Sequence, residues 1–164
     1  MRRLGFAAIA AIAVLACDGG LRPVARCPSG VCGTITIRGA QPESTHVVLV
    51  IAYHTFPQTC DDIPAFLPPD PPLISLGGPT ATYTLPLTDG RYEWIVAVWK
   101  KIGMLTGTPA DTALLREAGY YRAPADTSQP GAVTIAGTGV AEVDFVVDLD
   151  DLHPITDYVT CTAR

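Results

Sequence analysis

The chain has 164 residues, with 16 acidic and 11 basic side chains, and its formal net charge at pH 7 is −5. An acidic surface disfavours nucleic acids and anionic lipid headgroups as partners. Hydrophobic residues make up 48% of the chain, enough to build a core, and the length fits a single domain. The sequence therefore predicts one compact unit that binds no nucleic acid.

The amino end carries the pattern of an export signal. Arg2 and Arg3 precede an apolar run at residues 4–16, which is too short to span a bilayer comfortably. The run ends in VLAC at residues 14–17, which resembles a bacterial lipobox. The resemblance implies that Cys17 becomes the lipidated first residue of the mature chain. We expect about nine basic residues against sixteen acidic ones after cleavage, a net charge near −7.

An ordinary signal peptide, cut after Ala13 or Ala16 with Cys17 unmodified, is the alternative. The small residue before the cysteine and the polar, glycine-rich sequence after it favour lipidation. The predicted organisation is a lipoprotein signal peptide at 1–16, a tether at 17–31 and a folded domain at 32–164. Acyl chains on Cys17 would fix the protein to the lipid bilayer of the bacterial cell envelope. The choice between inner and outer membrane stays open.

Four further cysteines support export, because disulfides persist outside the cytosol. They are Cys27, Cys32, Cys60 and Cys161. If residues 34–37 and 47–53 form a hairpin, Cys32 and Cys60 lie near its open end, which leaves Cys27 to pair with Cys161. A local Cys27–Cys32 pair is the alternative. A zinc site is disfavoured because no Cys-x-x-Cys spacing occurs.

The first half of the chain predicts strands separated by a long loop. Residues 34–37 alternate polar and apolar side chains, as in a half-buried strand. Residues 46–54 are apolar on both faces, which indicates a central strand covered on both sides. Six prolines within residues 55–72 exclude a regular ladder there, so we expect a loop fixed by Cys60. Residues 73–76 predict a short edge strand.

The second half predicts a hairpin, one helix and two strands. Residues 81–87 and 91–100 flank an Asp-Gly turn at 89–90, the pattern of a β-hairpin. Residues 111–118 predict a helix, with Asp111 as N-cap and Gly119 as its end. Residues 133–135 form a short strand. The alternation over residues 141–150 predicts an edge strand with an acidic outer face.

These elements predict an all-β fold, namely a seven- to eight-stranded antiparallel β-sandwich with one short helix. The segments GTITI at 33–37, YTLPLTDGRY at 83–92 and VDFVVD at 143–148 resemble a prealbumin-like sandwich. Carboxypeptidase regulatory-like and starch-binding-like domains share that architecture. The segments WKK at 99–101 and GYYRAP at 119–124 resemble a group of bacterial envelope lipoproteins. The resemblance covers most of residues 33–150 and implies a fold more firmly than an activity.

Candidate catalytic and metal-binding residues are few. Acidic side chains that could supply oxygen ligands to calcium are Asp89, Asp144, Asp148, Asp150 and Asp151. Outward acidic residues also keep an edge strand from pairing with other molecules, and we favour that interpretation. His46, His54 and His153 stand apart in sequence, and no Gly-x-Ser-x-Gly motif occurs. We therefore predict no catalytic residues, metal or cofactor.

Aromatic residues are the better candidates for binding. Trp99, Tyr120 and Tyr121 lie at the end of a predicted strand and in the segment after the predicted helix. The starch-binding-like resemblance implies that their rings could stack on a glycan. The alternative is that they fill the core, because each aromatic side chain buries a large area.

The predicted function is a lipid-anchored, non-catalytic binding or structural module of the envelope, with a protein or a glycan as possible partner. A glycan-binding accessory domain is the first alternative. An envelope hydrolase is the second, and it requires a cleft where one of the three histidines meets a carboxylate or hydroxyl. An assembly partner of an outer-membrane complex is the third, and it requires a large exposed apolar patch.

Overall fold

The computed structural model describes residues 27, 29–106, 108–137 and 139–161. The predicted signal peptide at 1–16, Cys17 and most of the tether at 17–31 lie outside the described residues. The first strand begins at Gly30, so the folded body reaches two residues into the predicted tether. Within the described part of the chain, no helix combines the length and apolar composition needed to cross a membrane.

Strands make up most of the regular secondary structure of the described chain, which confirms the all-β prediction. Its strands are β1 (Gly30–Arg38), β2 (Thr45–Tyr53), β3 (Thr80–Leu85), β4 (Gly90–Tyr92), β5 (Trp94–Lys101), β6 (Leu115–Tyr120), β7 (Arg122–Ala123), β8 (Asp126–Pro130), β9 (Val133–Ile135), β10 (Val140–Glu142), β11 (Phe145–Asp148) and β12 (His153–Pro154). Short 3-10 helices cover Cys60–Ala65, Pro109–Leu114 and Ile155–Asp157. The strands of the described chain are more numerous than predicted.

The first sheet is built around β1. On one side β1 pairs antiparallel with β3, and on the other side it pairs in parallel with β10 and then β11. The Val143 amide donates to the Cys32 carbonyl (2.8 Å), which joins β10 and β11 into one interrupted edge strand. The predicted edge position of this segment is confirmed, but the parallel pairing departs from a purely antiparallel sandwich.

The second sheet is antiparallel, in the order β12, β6, β5, β2. Its two long strands align from Thr45 opposite Lys101 to Tyr53 opposite Trp94. The predicted edge segment at 73–76 contributes hydrogen bonds to β2, with the Ile74 amide donating to the Val48 carbonyl (2.8 Å). The Leu73–Leu49 bridge there is isolated, so no regular strand forms.

The two sheets share one core, because their facing side chains belong to the same buried cluster. The members of this core from β1, β2, β3, β5 and β11 include Val31, Ile35, Val48, Val50, Ala52, Tyr83, Leu85, Ile95, Ala97, Trp99, Phe145 and Val147.

A second, smaller cluster covers the opposite face of the second sheet. Ile51, Tyr53, Trp94, Val96 and Val98 pack there against side chains of the 54–67 segment and of the carboxyl end. The prediction that the 46–54 strand is covered on both faces is therefore confirmed.

Both predicted hairpins are wrong. Residues 34–37 do not pair with 47–53, because β1 and β2 lie in different sheets. The chain between residues 81–87 and 91–100 also changes sheets, since β3 pairs with β1 while β5 pairs with β2 and β6. The Asp-Gly turn leads instead into β4, which pairs with the predicted 133–135 strand, now β9. Alternation identifies strands but does not identify their partners.

The predicted helix at 111–118 is also wrong. A 3-10 helix ends at Leu114, and β6 begins at Leu115. Thr108 is the N-cap of the 3-10 helix, and Asp111 completes a capping box from the N3 position. Leu115 and the residues after it pair with β5 as a strand. Their apolar side chains are therefore buried by the sheet and not by one face of a helix.

The cysteines pair as Cys27–Cys32 and Cys60–Cys161. Their Cα atoms are 5.6 and 5.0 Å apart, within the range of disulfides. The expected Cys27–Cys161 and Cys32–Cys60 pairs are wrong, because they depended on the hairpin that does not form. The local alternative is the one observed.

Candidate ligand pocket at the seam between the sheets

A pocket opens where the edge strand of the first sheet meets β6 of the second. The backbones approach so closely there that a Cβ atom on Gly119 would collide with the Val146 carbonyl. Gly119 also has φ of +148°, which a side-chain-bearing residue rarely adopts. Glycine at this position allows β6 and β11 to meet, and the cavity of about 480 Å³ lies beside the contact. We call this cavity the seam pocket.

The seam pocket is lined by charged and aromatic side chains from several elements. Its charged and titratable members are Arg38, Glu117, Tyr120, Tyr121, Arg122, Asp144, Asp148, Asp151, His153 and Tyr158. They come from β1, β6, β11, β12 and the segments that follow β6 and β11. The pocket therefore exists only in the folded arrangement, and no short sequence motif encodes it.

Glu117 is the most buried charged residue of the pocket, with only 3% of its surface exposed. It is positioned by a β-bulge: Ala97 faces Gly119 and Val98 faces Glu117, so Ala118 is an extra residue in β6. Bulges of this kind redirect side chains and are common beside binding sites. The bulge at Ala118 therefore sets the direction of the Glu117 side chain.

The Glu117 carboxylate is held by hydrogen bonds. The Tyr158 hydroxyl donates to Oε2 (2.7 Å), and the Gly119 amide donates to the carboxylate as well. Burial raises the pKa of Glu117 above its usual range, while these bonds and the nearby His153 and Arg122 oppose the rise. Among the described residues, no basic side chain lies within salt-bridge distance of Glu117.

The Tyr158 phenol is the hydrogen-bond donor to the Glu117 carboxylate. Burial, followed by the hydrogen bond to Glu117 and its charge, raises the pKa of Tyr158 above the usual value. The hydroxyl therefore remains a donor at physiological pH. Tyr158 packs on the second core cluster, where its ring lies 5.6 Å from that of Trp94.

His153 and Asp151 form the rim of the pocket. His153 Nε2 lies 3.3 Å from Asp151 Oδ1, and both side chains are substantially exposed. His153 is placed next to Glu117 because β12 pairs with β6 at that residue. The fold therefore brings His153, which stands apart from the other histidines in sequence, beside two carboxylates.

Arg122 lies on the rim with its guanidinium stacked on an aromatic ring. Its Cζ atom is 4.4 Å from the centre of the Tyr120 ring. Nη1 donates to the Tyr120 hydroxyl (3.0 Å) and to the Thr127 carbonyl (2.9 Å). These contacts hold the guanidinium above Tyr120 without an ion pair to Glu117.

The predicted aromatic platform is only partly present. Trp99 is 5% exposed, and its Nε1 donates to Thr45 Oγ1 (2.8 Å), so its ring belongs to the core. Tyr120 and Tyr121 both line the seam pocket, but Tyr120 packs on the second cluster and Tyr121 on the main core. The prediction is wrong for Trp99, and the two tyrosines do not share one flat face.

The other candidate residues are engaged locally. His54 stacks on Tyr92 at 4.4 Å, and His46 Nδ1 lies 3.0 Å from Lys100 Nζ. Asp144 accepts the Thr34 amide (2.6 Å), and Asp150 accepts the Ala40 amide (3.2 Å). Within the described ranges, no three His, Cys, Asp or Glu side chains are arranged to hold a metal. These contacts give the acidic residues a role in fastening β1 to the edge strand.

An apolar loop after β5 is the other exposed feature. Ile102 is 62% exposed and Met104 is 84% exposed, with Leu105 beside them. The buried Lys100 anchors this loop, because its Nζ donates to the Gly103 carbonyl (2.6 Å). The loop is separate from the seam pocket.

No protein-family model matches this chain, and neither a curated protein nor a solved structure is similar to it at a significant level. Its function must therefore be argued from the pocket and the sequence.

Proposed function

We propose that the protein is a lipid-anchored module of the bacterial cell envelope that binds a small polar ligand in the seam pocket. The observation that carries this proposal is Glu117, a carboxylate held deep in a pocket by Tyr158. Titratable groups whose pKa is shifted by burial in a concave site are typical of binding and catalytic sites.

The lipobox-like sequence ending at Cys17 supports the anchor, and the two cysteine pairs support a location outside the cytosol. We further infer a prealbumin-like architecture. Two sheets over a shared core support that inference.

A hydrolase is the second candidate, and the His153–Asp151 pair favours it. The pair shares a pocket with Glu117, whose raised pKa suits a general acid. The lining includes no serine, threonine or cysteine that could act as a nucleophile. Hydrolysis through a side-chain nucleophile would need a residue that this lining lacks, whereas ligand binding needs no nucleophile. We therefore prefer a non-catalytic binding function.

Two experiments test the proposal. Metabolic labelling with a palmitate analogue should modify the wild type and not Cys17→Ser. A photoreactive amino acid in place of Arg122, at the pocket rim, should capture an envelope component in intact cells. The matched control is the same amino acid in place of Arg91, an exposed arginine on β4 that does not line the pocket. Identical adducts at both positions, or none at 122, would refute the binding function.

A further inference from the structure

We propose that the seam pocket recognises a cationic amine, with the Glu117 carboxylate as the counter-ion of the ligand's ammonium group. This inference rests on the proposed binding function and names the class of its ligand.

The first argument is the unpaired charge of Glu117. Its carboxylate is almost fully buried and receives hydrogen bonds from Tyr158 and from the Gly119 amide. Neither donor carries a positive charge. His153 and Arg122 lie near enough to lower the pKa of Glu117, but no basic side chain of the described residues is within salt-bridge distance of it. Burying a carboxylate without a cation is unfavourable. A ligand ammonium group would supply the missing charge.

The second argument is the net negative charge of the side chains that line the pocket. Four carboxylates face two guanidinium groups, from Arg38 and Arg122. The carboxylates belong to Glu117, Asp144, Asp148 and Asp151. The excess of negative charge in the lining attracts cations and repels anions.

The third argument is the aromatic wall. The Arg122 guanidinium covers one face of the Tyr120 ring at 4.4 Å, so that face already makes a cation–π contact. Tyr121 and Phe145 contribute the further aromatic surface of the lining. Ammonium groups bind well where carboxylates and aromatic faces meet. A volume of about 480 Å³ accommodates an alkyl amine or a diamine.

A series of isosteric probes tests the inference on the full chain purified in a non-ionic detergent. Butylammonium and cadaverine should bind, as measured by titration calorimetry, whereas 1-butanol and butyrate should not. Glu117→Gln keeps the shape of the side chain and removes its charge, and we expect amine affinity to fall about tenfold or more. The matched control is Glu142→Gln, an exposed glutamate on β10 outside the pocket, which should bind as the wild type does.

The outcomes separate this inference from the function on which it rests. If 1-butanol or glucose binds as well as butylammonium, or if Glu117→Gln binds amines normally, the cation inference is wrong and a pocket for another ligand remains. If neither amine binds the wild type, the cation inference is also wrong. The binding function itself is tested separately, by the photocrosslinking experiment at position 122.

Discussion

Glu117 shows how one residue links the local backbone to the chemistry of the pocket. The bulge at Ala118 turns it inward, and Tyr158 and Gly119 then satisfy its oxygens. Hydrogen bonds limit the cost of burial without removing it, because the pKa of Glu117 remains raised. A carboxylate that is kept buried although its burial is unfavourable is more consistent with a functional role than with a stabilising one.

The first prediction is a pH-dependent stability that originates at Glu117. Because its folded-state pKa is raised, the folded protein binds the proton more tightly than the unfolded chain. The stabilisation is fully present below the unfolded pKa and is lost as pH rises through the folded one. Urea denaturation over pH 4 to 8 should show wild-type stability falling relative to Glu117→Gln. A wild-type stability that stays constant or rises with pH relative to that of Glu117→Gln would contradict the assignment.

Lys100 is a second buried charge, and it organises a loop. Its Nζ donates to the Gly103 carbonyl (2.6 Å) and lies 3.0 Å from His46 Nδ1. The Ile102 amide, which donates to the Ser44 carbonyl (2.8 Å), sits between these contacts. The ammonium group therefore connects the apolar loop to the start of β2.

The second prediction concerns this loop. Lys100→Met keeps the aliphatic stem and removes the charge-assisted hydrogen bonds, so the Ile102 amide should exchange with solvent about tenfold faster. Hydrogen exchange followed by NMR measures this rate. Lys101→Met is the control, because the Lys101 side chain is exposed. Equal protection of Ile102 in both variants would show that Lys100 does not hold the loop.

At the scale of elements, periodicity predicted strands well and their partners poorly. The 46–54 strand was predicted as covered on both faces, and the structure confirms this because two clusters flank it. The 89–90 turn was predicted to close a hairpin, yet it leads into β4, and the strands β3 and β5 on either side of it lie in different sheets. Strand pairing is decided by long-range packing, which a local pattern does not contain.

Part of the pocket was predictable from the sequence. Tyr120 and Tyr121 were candidates for stacking on a glycan, and both line the cavity. Other candidate residues line it as well, although no pattern in the sequence placed them together: Asp144, Asp148, Asp151 and His153. Glu117 was missed because its neighbours in sequence were interpreted as a helix. The signal that could have found it is a glutamate two residues before a glycine in an apolar stretch, a pattern compatible with a bulge. Tyr158 is 41 residues away, and only the fold brings it to Glu117.

The third prediction tests the seam between β6 and β11. Gly119→Ala should destabilise the protein by about 2 kcal/mol or more, because it combines an unfavourable φ with a collision at the Val146 carbonyl. Gly137→Ala is the matched control: its φ is +63°, but no atom lies within 4 Å of the added Cβ. Strain alone should cost it about 1 kcal/mol. Equal losses by urea denaturation would show that the close approach contributes nothing.

At the scale of the whole molecule, the carboxyl end is fastened to the rest of the fold by several contacts. Thr160 bridges Thr59 in parallel, and its amide donates to the Gln58 carbonyl (2.9 Å). Cys161 then bonds to Cys60, across 101 residues of chain. The segment held in this way carries Tyr158 to the seam pocket, so the covalent link supports both the fold and the candidate site.

The fourth prediction compares the two cysteine pairs. In the chain-entropy model, a cross-link stabilises the fold by restricting the unfolded chain, and its effect grows with the loop that it closes. Cys60–Cys161 closes a separation of 101 residues, whereas Cys27–Cys32 closes one of 5. Replacing the first pair by alanines should lower the free energy of unfolding by about 4.7 kcal/mol, and replacing the second by about 2 kcal/mol. Urea denaturation of both variants at one pH measures the two losses. A larger loss from the short pair would mean that native contacts around Cys27, rather than entropy of the unfolded chain, set the contribution of these cross-links.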